Sequence, residues 1–276
     1  MCTVRSFDLK LQRAYEHLNS FEQEANAWIE TKPYGIVHER DPEPPPNEIG
    51  DCQAWRFRIN RVSDVPERLS IIIGDCVFGL RSALDHLAFA LAQAHTPGMS
   101  KRKIEGSEFP IFGPKQMAAE TEKTKIGCVD PAACIIIKGL QPYHRGTDYM
   151  RHPLWQIHEL NRADKHRSLA ICGAEPSING KRGYRVPMDM FKNWAGAYVY
   201  SEPTPRLAFK LNAIWARWAP MVRDPNEEVS VDCPELPVEV VFDQGGPARL
   251  EPVIPTLKAL CDFVRDFVIA QLSKFL

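Results

Sequence analysis

Long apolar runs are missing from this chain. Ile71, Ile72 and Ile73 are followed at once by Gly74 and Asp75, so nothing approaches the roughly 20 apolar residues of a membrane span. A surplus of one charge is missing too. Lys and Arg number 34 against 35 Asp and Glu, a formal net charge of −1. That balance excludes a histone-like coat for nucleic acid and an acidic tail, while leaving local patches open. No Gly-x-x-x-x-Gly-Lys-Ser/Thr, Gly-x-Gly-x-x-Gly or Gly-x-Ser-x-Gly sequence occurs, so nucleotide-fold and serine-hydrolase chemistry find no foothold. The N-terminus, Met1-Cys2-Thr3-Val4-Arg5-Ser6, has no apolar signal core, and the expected location is the cytoplasm. Cys-x-x-Cys pairs are also absent. The eight cysteines stand at Cys2, Cys52, Cys76, Cys128, Cys134, Cys172, Cys233 and Cys261, without zinc-ribbon spacing. Reduced, packed thiols are expected in a reducing compartment.

What the chain does have is core-forming material: 276 residues, of which 44% are hydrophobic, enough for a sizeable interior. From Ser6, apolar residues fall at Phe7, Leu11, Ala14, Leu18, Phe21, Ala25 and Trp28, alternating steps of four and three that predict a helix ending before Pro33. Tyr34 to Arg40 and Trp55 to Ile59 flank a proline-rich tip, and the second segment alternates apolar and basic residues. This reads as a β-hairpin. A long helix is expected from Pro66 to about His95. Its seam is Ile73, Val77, Leu80, Leu84, Leu87 and Leu91; almost opposite lie Asp75, Gly79, Ser82, His86 and Gln93, with Phe78 and Phe89 on apolar flanks. The pattern implies a mostly buried helix whose polar groups need partners.

Between Gly98 and Gly127 the pattern is irregular, with Phe109-Pro110-Ile111-Phe112 an extended anchor. A short helix is expected over Pro131 to Lys138, closed by Gly139, and another from Pro153 to about Arg167. Residues 168–250 turn β-like, with strand candidates at Ser168–Cys172, Tyr184–Val186, Ala197–Tyr200, Arg206–Leu211, Val229–Val231 and Val238–Phe242. A final helix from Pro255 to Leu276 closes the chain. The expectation is a single α+β domain over residues 1–276. A bundle of about four long helices (6–170 and 252–276) carries a β-hairpin and a small sheet within a β-rich segment, 171–251.

Three groupings could carry chemistry. Arg81, Asp85 and His86 sit within two turns of the long helix, where a histidine can shuttle protons while a guanidinium holds phosphate. The plainer alternative is an i,i+4 ion pair beside a satisfied interior histidine. Asn161, Asp164, Lys165 and His166 crowd the end of the helix after Pro153, in reach of an anion or of the long helix's polar stripe. A solvated helix end is the competing reading, since cations favour a C-terminus. A metal site from His86, His158 and His166 lacks the Glu-x-x-His or His-x-x-x-His spacing that bundles use, so neither metal nor cofactor is expected. Residues 138–192 hold ten Lys/Arg against five Asp/Glu, while 224–251 hold eight acids against one arginine. A basic lobe with interleaved aromatics suits a phosphate-bearing ligand, unless the acidic stretch neutralises it.

These residues carry a resemblance. Gly74-Asp75-Cys76-Val77-Phe78-Gly79-Leu80-Arg81-Ser82-Ala83-Leu84-Asp85-His86-Leu87 resembles the signature of a widespread family of uncharacterised bacterial proteins. Phe109 to Phe112, Leu140-Gln141-Pro142-Tyr143 and Asn161 to Arg167 look like its further blocks. Where that family shows His-Asn, this chain has Phe78-Gly79. The resemblance implies a shared bundle and polar cluster, and no reaction. Separately, Arg81-x4-His86 is similar to the Arg-x(4–6)-His motif of HEPN helical nucleases, a spacing that also recurs at Arg145/His152 and Arg151/His158. That analogy implies metal-independent ribonuclease chemistry: His86 as general acid/base, Arg81 and Lys165 stabilising phosphoryl charge, Asp85 or Asp164 orienting a partner. The corresponding partners are RNA or a phosphate-bearing small molecule, with a homodimer compatible and no membrane. The rival expectation is a non-enzymatic scaffold or partner-binding protein whose polar cluster is purely structural.

Overall fold

The apolar stripe of the first twenty-odd residues does form one helix, α1 (Ser6–Glu30), with Phe7, Leu11, Ala14, Leu18, Phe21 and Ala25 all buried. This comes from a computed structural model that describes residues 5–42, 54–166, 169–174, 177–178, 181–182, 197–200, 211–220, 238–243, 248–249 and 251–276. The fold is α+β, and the chain divides into two compact units. One comprises Met1–Ala25, Pro66–Ile171 and Phe242–Leu276; the other comprises Asn26–Val65 and Cys172–Val241.

The first unit is helical. Its centre is α2 (Glu67–His95), which opens directly after Pro66, a proline that stands at the N-cap position rather than in the first turn. Ile73, Val77, Leu80, Leu84, Leu87 and Leu91 are at most 1% exposed, each such side chain contributing about 1.5–3 kcal/mol by leaving water. α3 (Lys101–Gly106) and α4 (Ala119–Lys125) are short helices in the stretch that lacks periodicity. Neither has a buried residue, so they leave no apolar stripe to read. α5 (Pro131–Gly139) is capped by Asp130, whose carboxylate accepts from the Ala132 and Ala133 amides. A 3-10 segment (Pro142–Arg151) leads into α6 (Pro153–His166), which packs along α2. α7 (Val253–Phe263) begins two residues earlier than expected and continues through a π-helical stretch, Val264–Ile269, to the C-terminal turns.

The polar stripe of α2 corrects one expectation. Asp75 and Gln93 are exposed, and Ser82 and His86 half-exposed, so this face meets solvent. Phe78 joins it, 52% exposed. Only Gly79 is buried, against Ala14 of α1.

The second unit is built on a sheet of four antiparallel strands in the order β1-β2-β7-β6. β1 (Tyr34–Arg40) and β2 (Trp55–Val62) are the expected hairpin, paired Tyr34 to Val62 through Arg40 to Trp55. The hairpin is half of the sheet rather than an appendage. β7 (Ile214–Pro220), which the sequence reading passed over, lies on β2 and carries β6 (Ala197–Tyr200) on its other edge. Two-stranded sheets, β3 (Ile171–Ala174) with β8 (Glu239–Phe242) and β4 (Ser177–Ile178) with β5 (Lys181–Arg182), complete the described strands. The hairpin tip and the candidates at Tyr184–Val186, 206–210 and Val229–Val231 lie outside the described residues. No helix among the described residues is long and apolar enough to cross a membrane.

Candidate functional site

Arg81 and Asp85 stand one turn apart on α2 and close on each other. Arg81 Nε donates to Asp85 Oδ2 at 3.1 Å and Nη2 to Oδ1 at 2.7 Å. The pair then grips the main chain of Phe109: Nη2 donates to its carbonyl at 2.9 Å, and its amide donates to Asp85 Oδ1 at 3.0 Å. An extended segment without a strand partner must satisfy its amides and carbonyls some other way. Here one ion pair serves both polar groups of a residue whose ring is fully buried. Arg81 is itself 14% exposed.

Gln141 does the same for the next residues. Its Nε2 donates to the Pro110 carbonyl at 2.9 Å and to that of Ile137 at 3.0 Å, and its Oε1 accepts from the Phe112 amide at 3.0 Å. Gln141 is 1% exposed. The sequence reading missed this residue, because an isolated polar side chain outside a helix carries no periodic mark. The only hint was its place between Leu140 and Pro142 in one of the quoted blocks. Lys125 of α4 pairs with Glu108, and burial, with Arg81 nearby, holds its ammonium pKa below the usual value. Around Phe109, then, two cations face two carboxylates.

α6 supplies the remaining candidates. At Gly74 of α2 the two helices approach so closely that a Cβ there would stand 2.2 Å from Asp164 Oδ1. Burial raises the Asp164 pKa, and the Asp75 carboxylate raises it further. Asn161 is buried. One turn back, His158 stacks obliquely on Trp155 at 5.2 Å. Burial lowers its pKa, with Arg81, Arg162 and Lys165 adding to the effect and Glu159 opposing it. Arg162 is held by both oxygens of Glu159, at 3.2 and 2.6 Å. Lys165 is exposed. His166 is the last residue of α6, and its side chain lies outside what is described.

The structure therefore brings Arg81, Asp85, Asn161 and Asp164 onto the adjoining helices α2 and α6. His86, next to Asp85, is half-exposed and has no hydrogen bond or ion pair among the described residues. Those residues contain no group of three metal-ligating side chains. α2 holds Phe109 through Arg81 and Asp85, Gln141 holds Pro110 and Phe112, and Asp164 of α6 lies against Gly74 of α2. Chemically the arrangement cross-links main chain to side chain. Its two half-exposed histidines, His86 and His158, are the groups suited to proton transfer. No protein-family model, curated protein or solved structure matches the chain.

Proposed function

We propose that this protein is a non-enzymatic scaffold or partner-binding protein, and that Arg81, Asp85, Asn161 and Asp164 serve its helical unit structurally. One observation carries this reading: both oxygens of Asp85 and two nitrogens of Arg81 are already matched, by each other and by the Phe109 main chain. A guanidinium so engaged is a poor receptor for phosphate, because a ligand would first have to break bonds that order the core. Replacing Asp85 by Ala leaves the Phe109 amide unmatched and Arg81 without its carboxylate, bonded only to the Phe109 carbonyl. The expected loss is about 2–3 kcal/mol of stability, read as a lower midpoint in urea or heat, with single-stranded RNA left intact by the wild-type protein. Native stability in Asp85→Ala would overturn the reading.

A second reading has its own observation. His86 is half-exposed and without a bonded partner beside the pair, as a general acid/base would need to be. On that reading the cluster binds or cleaves a phosphate-bearing ligand such as RNA without metal, with Lys165 as the accessible cation. Metal-free RNA cleavage by the wild type, abolished in His86→Ala at unchanged melting temperature, would establish it in place of the first.

A further inference from the structure

A separate feature, in the second unit, points to a ligand. Strands β1, β2, β6 and β7 contain five arginines (Arg40, Arg56, Arg58, Arg61 and Arg217), one glutamate and no lysine. Phe57 and Ile59 of β2 are buried, so by strand alternation Arg56 and Arg58 stand on the opposite face, roughly 6.6 Å apart along the strand. Arg56 is registered opposite Glu39 on one side and Arg217 on the other. Two like charges directly opposed across a ladder destabilise it unless an anion intervenes.

Asp41 intervenes. Its side chain is wholly buried, 3.0 Å from Arg217 Nε and 4.0 Å from Arg56 Nη1. Glu39 takes both Arg56 and Arg58, accepting from each Nε at 2.8 Å, and Asn212 accepts from Arg58 Nη1 at 2.9 Å. Among the described residues this face thus holds three guanidiniums against two carboxylates. Glu39 is shared by Arg56 and Arg58 while Asp41 lies closest to Arg217, so the surplus is spread over the array. The only described partner of Arg217 is Asp41, reached through Nε, so both Nη groups remain as donors on a side chain 23% exposed. Asp41 and Glu39 fix the guanidiniums in place, which removes the ordering cost a mobile lysine would incur on binding. Planar forks presented in a fixed array match phosphate oxygens better than carboxylates on a flexible peptide.

We propose that this sheet face binds the phosphodiester backbone of a single-stranded nucleic acid, with the two Nη groups of Arg217 the contact and the paired Arg56 and Arg58 adding only their positive field. The site is independent of the cluster on α2 and α6. The test is fluorescence anisotropy with labelled uridine and thymidine dodecamers, using the full chain at several salt concentrations. Binding of either oligonucleotide is expected, with a log–log salt slope near −0.7 for each phosphate contacted, roughly −0.7 to −1.4 for the two Nη groups of Arg217. Arg217→Gln takes a cation from buried Asp41 and can unfold the sheet, so the informative variant is Asp41→Asn/Arg217→Gln, expected to weaken binding about tenfold or more. Arg58→Gln, which leaves Glu39 paired with Arg56 and removes one positive charge from the face, should weaken binding about two-fold at low salt with the slope little changed. Lys165→Gln, in the other cluster, should leave affinity unchanged, which separates failure of this site from failure of the α2–α6 reading. Absence of salt-dependent binding, binding indifferent to both sheet variants, or equally tight capture of an oligoglutamate peptide would overturn the proposal.

Discussion

At the scale of single residues, Gly74 shows how a missing side chain can position a present one. Glycine costs a helix roughly 0.5–1 kcal/mol relative to alanine, yet here it opens the space that the Asp164 carboxyl fills. Gly74→Ala should therefore destabilise the helical unit by about 1–3 kcal/mol, the range for overfilling a packed contact. In an Asp164→Ala background the same change should be neutral or stabilising, because the clash is gone and the propensity gain remains. Urea midpoints of the four proteins in that cycle decide it; equal effects in both backgrounds would show that the contact does not matter. Cys76 and Cys261, on α2 and α7, are both fully buried, and the neighbouring Cys261 thiol together with burial holds the Cys76 pKa well above the usual value. They are packed thiols, as the spacing of the cysteines suggested.

At the scale of elements, the segment 109–112 is the least autonomous part of the helical unit. It has neither a helix's internal bonds nor a neighbouring strand, and its main-chain groups depend on Arg81, Asp85 and Gln141. Gln141→Ala removes three hydrogen bonds at a buried position and should cost about 2–4 kcal/mol. The signature of a local tether would be faster amide exchange at Phe112 than in the middle of α2; a uniform change across the unit would argue against it. α6 depends on a different device. His152, nearly buried, accepts from the Leu154 amide through Nδ1 at 3.2 Å and so caps the helix only while that nitrogen is unprotonated.

At the scale of the whole molecule, that cap makes stability depend on pH. Burial lowers the His152 pKa to about 4, with Arg145 and His144 contributing. Burial alone lowers that of His38 in the sheet unit to about 4. Both groups bind protons more weakly folded than unfolded, where histidine titrates near 6.5. The unfolded chain therefore takes up protons first as pH falls. The part of the stability due to these two histidines is flat above about pH 7, declines from about 6.5 to 4 and levels off below, His152 alone accounting for up to about 3 kcal/mol. His152→Asn keeps a capping acceptor that does not titrate, so its melting temperature should fall less between pH 7 and pH 5 than that of the wild type. Parallel curves for the two proteins would refute the assignment.

Sequence periodicity alone determined the long helices and the hairpin, because 3.6-residue and two-residue repeats of apolar side chains record directly which face leaves water. It also singled out Arg81 and Asp85, since i,i+4 neighbours on a helix meet whatever surrounds them. Tertiary structure alone decided what they hold. Phe109 lies 24 residues beyond Asp85, and no local rule links an extended segment to a helix face so distant along the chain. The same holds for β7, whose mixture of tryptophan, alanine and arginine becomes a strand by pairing with β2. It holds for Gln141, whose three hydrogen bonds exist only once separate stretches of chain are packed against each other. Whether a polar group is satisfied depends on what faces it, and that information lies in the packing of distant segments.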